Sequence, residues 1–439
     1  MTTTAPSPAA RPPAGAPAAQ RVLVLPGGTE IGLEVRAALA GRRDVELFSA
    51  GIDAPGHAPY AFRHHDVLPD LRGDGWLDPL NDLVRRRGID MVLPAHDDAV
   101  LALAEHAGEV AARVVSSPAA TCRIARSKRA TYAALADVVR VPRVVDDPAA
   151  AAFPLFVKPD RGQGSAGARV VRDRAELERA LRDGSDLVME VLPGDEHTVD
   201  CFSDRERGLL FAAPRRRVAT RAGISMRSVP VEDPDLMAMA HAIAGRLELH
   251  GAWFFQARRD AAGAHRLLEV APRIAGTSAL TRAMGVNLPL LSVYEALRVP
   301  LEVAPNGLRV EIDRALVNRY RHDLRYSAVY VDLDDTLVVR GRVQARLVAL
   351  LYRSIDEGRR VVLLTRHRGD LAATLRRHRL SELFDEVVRV ADDEEKADHV
   401  REPDAILIDD SFRERRAAGE RGVAAFDLDA VELLEDDRA

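Results

Sequence analysis

The chain has 439 residues and a formal net charge of -5, with 62 Lys plus Arg set against 67 Asp plus Glu. That length calls for two to four domains with ample cores, and the interspersed charges give no basic stripe for a nucleic-acid backbone. Only Cys122 and Cys201 are present and no run of about 18 apolar residues occurs, which excludes a disulfide framework and a membrane span. Small molecules are therefore the expected partners of a soluble cytoplasmic protein, with no nucleic acid and no membrane, and a homo-oligomer is compatible with the composition. Of the basic residues only Lys128, Lys158 and Lys396 are lysine. Where arginine serves for ordinary surface charge, these three positions invite a search for chemistry.

Residues 1–20 are rich in Ala, Pro and Thr, without a basic leader or an apolar stretch, and read as a disordered tail instead of a signal peptide. Residues 21–116 form the first segment. An apolar strand at Val22 to Leu25 leads through Gly27, Gly28 and Gly32 into helical spacing at Ile31, Val35, Ala38 and Leu39, a βα start without the full dinucleotide fingerprint. A second such unit runs from the strand Met91 to Leu93 to His96, Asp97 and Asp98. Acids at a strand's carboxyl end suit a ligand, or Asp97 or Asp98 caps the following helix. His57, His64, His65 and His96 show no metal-ligand spacing.

Residues 117–303 are the second segment. Ser127 is placed to cap a helix through Lys128, Tyr132 and Leu135. The apolar run Phe153 to Val157 then delivers Lys158 into a loop, KPDRGQGSAG, whose glycines and serine can present backbone N–H groups to a polyphosphate beside one fixed cation. Asp173 with Glu176 reads as a capping pattern, and Asp233 with Pro234 opens another helix. Glu190 lies in an apolar run and needs a specific partner. Thr198, Asp200 and Phe202 share one strand face. Gln256 and Glu269 face each other across a hairpin that turns at Gly263, either as a Mg²⁺ clamp or as a solvated polar pair. Arg215, Arg217 and Arg221 either hold a substrate carboxylate or phosphate or form a solvated edge.

SKRATYAAL, FVKPDRGQGSAG, MEVLPGDEHTVD, FFQARRD and LLEVAPRIAGTSAL, in that order, resemble the ATP-grasp superfamily with its preceding Rossmann-like domain, nearest its carbamoyl-phosphate-synthetase-like and carboxylate-amine ligase branches. The resemblance implies that Lys128 and Lys158 hold ATP phosphates under the loop containing Gly162, Gly164, Ser165 and Gly167. Glu190 and the following backbone, to Leu192, would hold adenine, and Glu196 the ribose. Gln256 and Glu269 would bind Mg²⁺, and Arg273 an acyl phosphate or the transferred phosphoryl group. One position departs from the pattern: Glu-x-Asn-x-Arg reads Glu269, Val270, Ala271, Pro272, Arg273, and alanine offers a metal no side-chain oxygen.

Residues 304–327 are arginine-rich and read as a helical connector. Residues 328–439 follow as the third segment. AVYVDLDDTLV ends a strand in Asp332, Asp334 and Asp335; RVVLLTR ends at Thr365; DAILIDDS ends at Asp409 and Asp410; Lys396 opens or lies in a helix beginning near Asp393. Clustered carboxylates raise one another's pKa unless a cation sits among them, which points to Mg²⁺. DLDDT, LLTRH, Lys396 and LIDDS resemble the haloacid-dehalogenase-like phosphatase superfamily. By that resemblance Asp332 is a nucleophile, Asp334 the general acid and base, Thr365 and Lys396 phosphoryl ligands, and Asp332, Asp334, Asp409 and Asp410 the metal site. The short intervals between these motifs leave no room for a sizeable cap domain.

The expected fold is a multidomain α/β protein: a Rossmann-like domain, an ATP-grasp α+β domain and a capless parallel-sheet phosphatase domain. The expected function is an ATP-dependent carboxylate-amine ligase fused to a Mg²⁺-dependent phosphatase, acting on a carboxylate, an amine and a phosphorylated small molecule. Two alternatives stand beside it: a phosphatase whose ATP-grasp module binds nucleotide without efficient turnover, and a scaffold with both sites vestigial.

Overall fold

The computed structural model describes residues 19–438 except 146, 149–150, 163, 165, 182–184, 321 and 436–437. The expected tail over 1–18 and the loop residue Ser165 therefore lie outside the described residues, while Gln20, placed in that tail by composition, begins the first strand. The chain forms two compact units, one reaching to Val317 and one over Asn318–Asp437. No helix among the described residues is long and apolar enough to cross a membrane.

In the first unit, β1 (Gln20–Leu25), β2 (Val45–Gly51), β3 (His65–Val67), β4 (Met91–Pro94) and β5 (Arg113–Val114) make a parallel sheet in the order β3-β2-β1-β4-β5. Both faces are covered, as parallel sheets require. Leu23 and Leu25 pack with Trp76, Leu80 and Leu83, whereas Val22 and Val24 pack with Val35 and Leu39 and with residues from much later in the chain, Phe202, Ala252, Ile274 and Val293. Each such side chain, once buried, contributes about 1.5–3 kcal/mol. The helix Glu30–Leu39 is capped by Thr29, whose oxygen accepts from the Gly32 N–H. Gly32 has to lack a side chain, because a Cβ there would stand 2.6 Å from the Gly27 carbonyl oxygen.

Beyond this sheet, β6 (Leu155–Pro159), β7 (Arg169–Val171) and β8 (Asp186–Glu190) pair antiparallel in the order β7-β6-β8. β9 (Glu196–Asp204), β10 (Gly208–Arg221), β11 (Ile224–Pro230), β12 (Gly251–Arg259), β13 (His265–Ala271) and β14 (Ile312–Asp313) form a six-stranded antiparallel sheet in the order β13-β12-β9-β10-β11-β14. Helix Pro234–Arg246 lays Leu236, Ala240 and Ile243 on one face of it, against Val199, Trp253, Phe255 and Leu267. Three helix starts follow from local chemistry: Ser127, Asp173 and Asp233 each accept an N–H from the first turn.

Two expectations about local structure are corrected. Neither Asp97 nor Asp98 caps its helix; His96 Nδ1 accepts from the Asp98 N–H, and both acids lie inside the first turn. The connector is not helical either: residues 304–327 contain only β14 as regular structure among the described residues. The stretch at β14 pairs with the sheet, Arg227 opposite Asp313 and Ser228 opposite Ile312. An available sheet edge has outcompeted a helix for a segment whose apolar residues, Leu316 and Val317, are exposed and stabilise no helix face.

In the second unit, β15 (Ala328–Val331) is followed by the small antiparallel pair β16 (Val338–Val339) and β17 (Arg342–Val343), then β18 (Arg360–Thr365), β19 (Glu386–Arg389), β20 (Ile406–Ile408) and β21 (Ala424–Phe426). The five longer-range strands form a parallel sheet in the order β19-β18-β15-β20-β21. Helix Ala345–Asp356 presents Leu347, Leu350 and Leu351 to Val329, Val331 and Leu363. The chain order reverses between β15 and β20, so loops leaving their carboxyl ends diverge and open a crevice.

Candidate functional site

In the first unit a cavity of about 840 Å³ is lined by both lysines, Lys128 and Lys158, by Gly162 and Gly164, and by Glu190, Leu192 and Glu196. Gln256, Glu269 and Arg273 line it too. Gly167 does not, and nor does Arg221. The first sheet supplies Thr29, Glu30, His96 and Asp97, from the loops where β1 and β4 end side by side. Phe156, Val170, Met189 and Leu268, to which the motifs assigned no role, form an apolar part of the wall. In sequence these residues look like any strand interior.

The lysines are held differently. Lys128, at the start of the helix Lys128–Leu135, donates to the Gly162 carbonyl at 2.9 Å and stands 4.0 Å from Glu269. Lys158 is 7% exposed, and its Nζ donates to the Tyr132 hydroxyl at 2.8 Å and to the Leu268 carbonyl at 3.4 Å. Both acceptors are neutral. Burial, reinforced by the neighbouring Lys128 charge, pulls the Lys158 pKa down to about 7. Asp160 ties the loop to the helix, accepting from Ser127 Oγ at 2.7 Å and from the Arg129 N–H at 2.8 Å.

The acids are also engaged. Glu190 accepts the Arg143 backbone N–H at 2.8 Å, the partner its place in an apolar run required. Glu196 is paired with Arg217 and approached by Arg258 at 3.8 Å. Gln256 and Glu269 lie directly opposite each other in the β12–β13 ladder, beside a bulge at Gln256/Ala257. Ala271, at the pattern's Asn position, is 5% exposed.

Of the arginines offered as anion ligands, Arg215, Arg217 and Arg273 are paired with carboxylates of the protein. Arg215 lines the cavity with its guanidinium on buried Asp200, at 3.0 Å, and Asp200 also accepts from Thr281 Oγ1 at 2.7 Å. Arg273 grips Asp97 with both arms, at 2.6 and 2.8 Å, and stacks over Phe254 with 5.1 Å to the ring centroid. Burial opposes charge on both members of that pair, but their mutual attraction wins, lowering the Asp97 pKa and raising that of Arg273. Arg273 is thus already held by a carboxylate from the helix that follows β4. The two residues are 176 positions apart, and no local signal announces the pair.

In the second unit Asp332 follows β15, Asp409 follows β20, and Lys396 begins a short 3₁₀ turn, Lys396–His399, in place of the longer helix expected near Asp393. Lys396 Nζ lies 2.7 Å from both Asp332 and Asp409. Asp332, Asp409 and Asp410 each offer an oxygen within 4.8 Å of the others. Burial pushes Asp332 up to about 6 and raises Asp409 as well, with Lys396 opposing both shifts. Three carboxylates against one ammonium leave two negative charges, a donor set that fits a divalent, oxygen-seeking cation such as Mg²⁺. The carboxylate of Asp334 stands outside this trio and pairs with His367 Nδ1 at 2.9 Å. Thr365 ends β18, fully buried, with its hydroxyl accepting the His367 N–H at 3.2 Å. Thr336 bonds to Asp410, at 3.1 Å through the side chain and 2.9 Å through the Asp410 N–H.

Comparison with known proteins adds to this geometry. Residues 184–314 match a family described as ATP-grasp in the biosynthetic pathway with Ter operon. No curated protein matches the chain. The fold is similar to the biotin carboxylase domain of Hydrogenobacter thermophilus 2-oxoglutarate carboxylase, solved with MgADP, ADP and bicarbonate, at TM-score 0.55 and 15% identity over 66% of this chain and 72% of that one. It is similar to the L-amino acid ligase of Bacillus licheniformis, at TM-score 0.51 and 19% identity over 64% and 75%. A third likeness is to N5-carboxyaminoimidazole synthetase of Staphylococcus aureus, solved with ADP, at TM-score 0.52 and 11% identity over 64% and 78%. The protein is a mixed α/β chain with an ATP-grasp-like fold, and structures similar to it hold ADP, in one case with Mg²⁺.

Proposed function

We propose that the ATP-grasp domain makes this chain an ATP-dependent ligase that joins a carboxylate to an amine, and that the second unit is a Mg²⁺-dependent phosphatase. The ligase reading is carried by the convergence of Lys128, Lys158 and the Gln256–Glu269 pair on one cavity, two cations beside an amide and a carboxylate as a Mg-bound nucleotide requires. Phe156, Met189 and Leu268 would cover the base, Glu196 would accept from the ribose, and the two lysines would neutralise phosphate oxygens. Gln256 and Glu269 would hold Mg²⁺, which supplies positive charge to the phosphates. The acceptor's carboxylate oxygen attacks the γ-phosphorus, ADP leaves, and an amine displaces phosphate from the acyl phosphate to give the amide. The acceptor would sit against the part of the lining formed by Glu30, Asp97 and Arg273.

For the second unit, Asp332 would attack a phosphomonoester while Asp334 protonates the leaving alcohol; Asp334 would then take a proton from the water that cleaves the aspartyl phosphate. Lys396 and Thr365 would steady the phosphoryl oxygens, and Asp332, Asp409 and Asp410 would hold Mg²⁺, which supplies charge neutralisation there. Ala271 favours a second reading of the first unit, nucleotide binding with weak turnover, because the pattern's second side-chain oxygen is missing. Following ADP release with Mg-ATP over a panel of carboxylate and amine pairs separates the two. Pair-dependent ADP is expected from a ligase; bound nucleotide with no ADP from any pair favours the second reading.

A further inference from the structure

The cavity wall contains one side chain that joins two parts of the proposed nucleotide site. Arg217 projects from β10 with its side chain only 6% exposed. Its Nη1 donates to Glu196 on β9, and its Nη2 donates to the carbonyl oxygen of Gly223 at 2.5 Å. Gly223 belongs to the two-residue turn between Arg221 and Ile224, where Ala222 and Gly223 both have positive φ, 49° and 76°. Such a turn matches the twist of the strands it joins and reverses the chain in the least space.

The tip of that turn rests on the glycine loop, backbone against backbone. A Cβ built on Gly223 would fall 2.2 Å from the Gly164 carbonyl carbon and 2.4 Å from its oxygen, so no side chain fits without driving the two apart. A continuous set of contacts therefore runs from Glu196 through Arg217 and Gly223 to Gly164. Arg216, the preceding residue, pairs instead with Asp195 at 3.3 Å and takes no part in it.

We infer that Arg217 is a latch, a positioning residue that fastens the β10–β11 turn, and through it the phosphate loop, to the carboxylate assigned to the nucleotide's ribose. The inference rests on the nucleotide reading of the cavity given above. A ribose hydroxyl on Glu196 fixes that carboxylate, the carboxylate fixes the arginine fork through charge-assisted bonds, and the fork holds the turn down on Gly164. Ribose and phosphates then bind cooperatively, because the first fixes the turn that holds Gly164 in the cavity lining. A lysine at 217 keeps the charge beside Glu196 but lacks the planar fork whose separate arms, Nη1 and Nη2, reach Glu196 and the Gly223 carbonyl.

The test uses the full chain, with calorimetric titration of adenosine and Mg-ATP and amide hydrogen exchange of the segment spanning residues 161–169. In the wild-type protein adenosine, which has no phosphate, is expected to slow exchange in this loop. Gly223→Ala and Arg217→Lys are expected to abolish that slowing and weaken Mg-ATP at least about tenfold, while Gly223→Ala keeps adenosine affinity within about twofold; Arg216→Ala should match wild type. Unchanged loop exchange with adenosine bound to the wild-type protein overturns the latch without needing any variant to fold, as does full Mg-ATP affinity in both loop variants. Absence of binding by either ligand removes the nucleotide reading itself, and the latch with it.

Discussion

Lys158 offers a quantitative test of the nucleotide site. Its ammonium is buried beside Lys128 and donates to the Tyr132 hydroxyl and the Leu268 carbonyl, and its pKa of about 7 leaves it largely neutral in the free protein at mildly alkaline pH. At pH 7.5 roughly one quarter of the molecules carry the charge. Polyphosphate oxygens in the cavity favour the ammonium, and a rise of about two units on binding makes each Mg-ATP draw in ~0.7 proton at pH 7.5 but only ~0.1 at pH 6. Titration calorimetry in buffers of different ionisation enthalpy measures that uptake as a slope. Lys158→Arg, charged throughout this range, should bind with a slope near zero. A flat slope at pH 7.5 in wild-type protein that binds Mg-ATP refutes the reasoning. The same shift fixes a stability trend. The folded-state pKa lies below the unfolded value, so the unfolded chain binds more protons between about pH 7 and 10, and the ligand-free protein gains stability as pH rises through that window. Lys158→Met should accordingly raise ligand-free stability below pH 7 by a few kcal/mol, roughly, while weakening Mg-ATP binding.

Three further outcomes are expected. Asp332→Asn should reduce Mg²⁺-dependent hydrolysis of p-nitrophenyl phosphate by about a thousandfold or more without lowering the melting temperature, since it removes one of three crowded carboxylates; retained turnover rejects Asp332 as nucleophile. Asp97→Asn leaves the buried Arg273 charge without its counterion and should cost about 3–5 kcal/mol in chemical denaturation, much of it recovered in Asp97→Asn/Arg273→Met; equal losses in the single and double variants would show that the pair is not the cause. Ala271→Asn supplies a side-chain oxygen next to Glu269 and should increase ADP release about tenfold if the missing ligand limits turnover, read by a coupled ADP assay at saturating Mg²⁺; an unchanged rate means the site does not lack it.

What the sequence disclosed was mostly local. Ser127, Asp173 and Asp233 cap the helices that their positions suggest, because a cap needs only its own side chain and the next three N–H groups. The opposition of Gln256 and Glu269 was legible for the same reason, since the Gly263 turn sets the register. Ionic partners were not legible. Arg273 with Asp97, Arg215 with Asp200 and Arg217 with Glu196 depend on which strands lie side by side, and an arginine destined for a buried carboxylate looks in sequence like one destined for solvent. The connector failed for a related reason: its residues permit a helix, but the exposed edge of β11 offered its backbone a better set of bonds.

The apolar cluster beneath β1 reaches further than a boundary near residue 116 suggests. Val22, Val24 and Val35 share it with Phe202, Ala252, Ile274 and Val293, and Asp97 holds Arg273 above it. Excising residues 21–116 to obtain a minimal catalytic fragment would uncover that cluster and strip a buried guanidinium of its counterion in one step. The fragment would be sticky as well as unstable, and homologues that trade this first sheet by recombination would have to trade the matching faces of β9, β12 and the helix Leu288–Ala296 along with it.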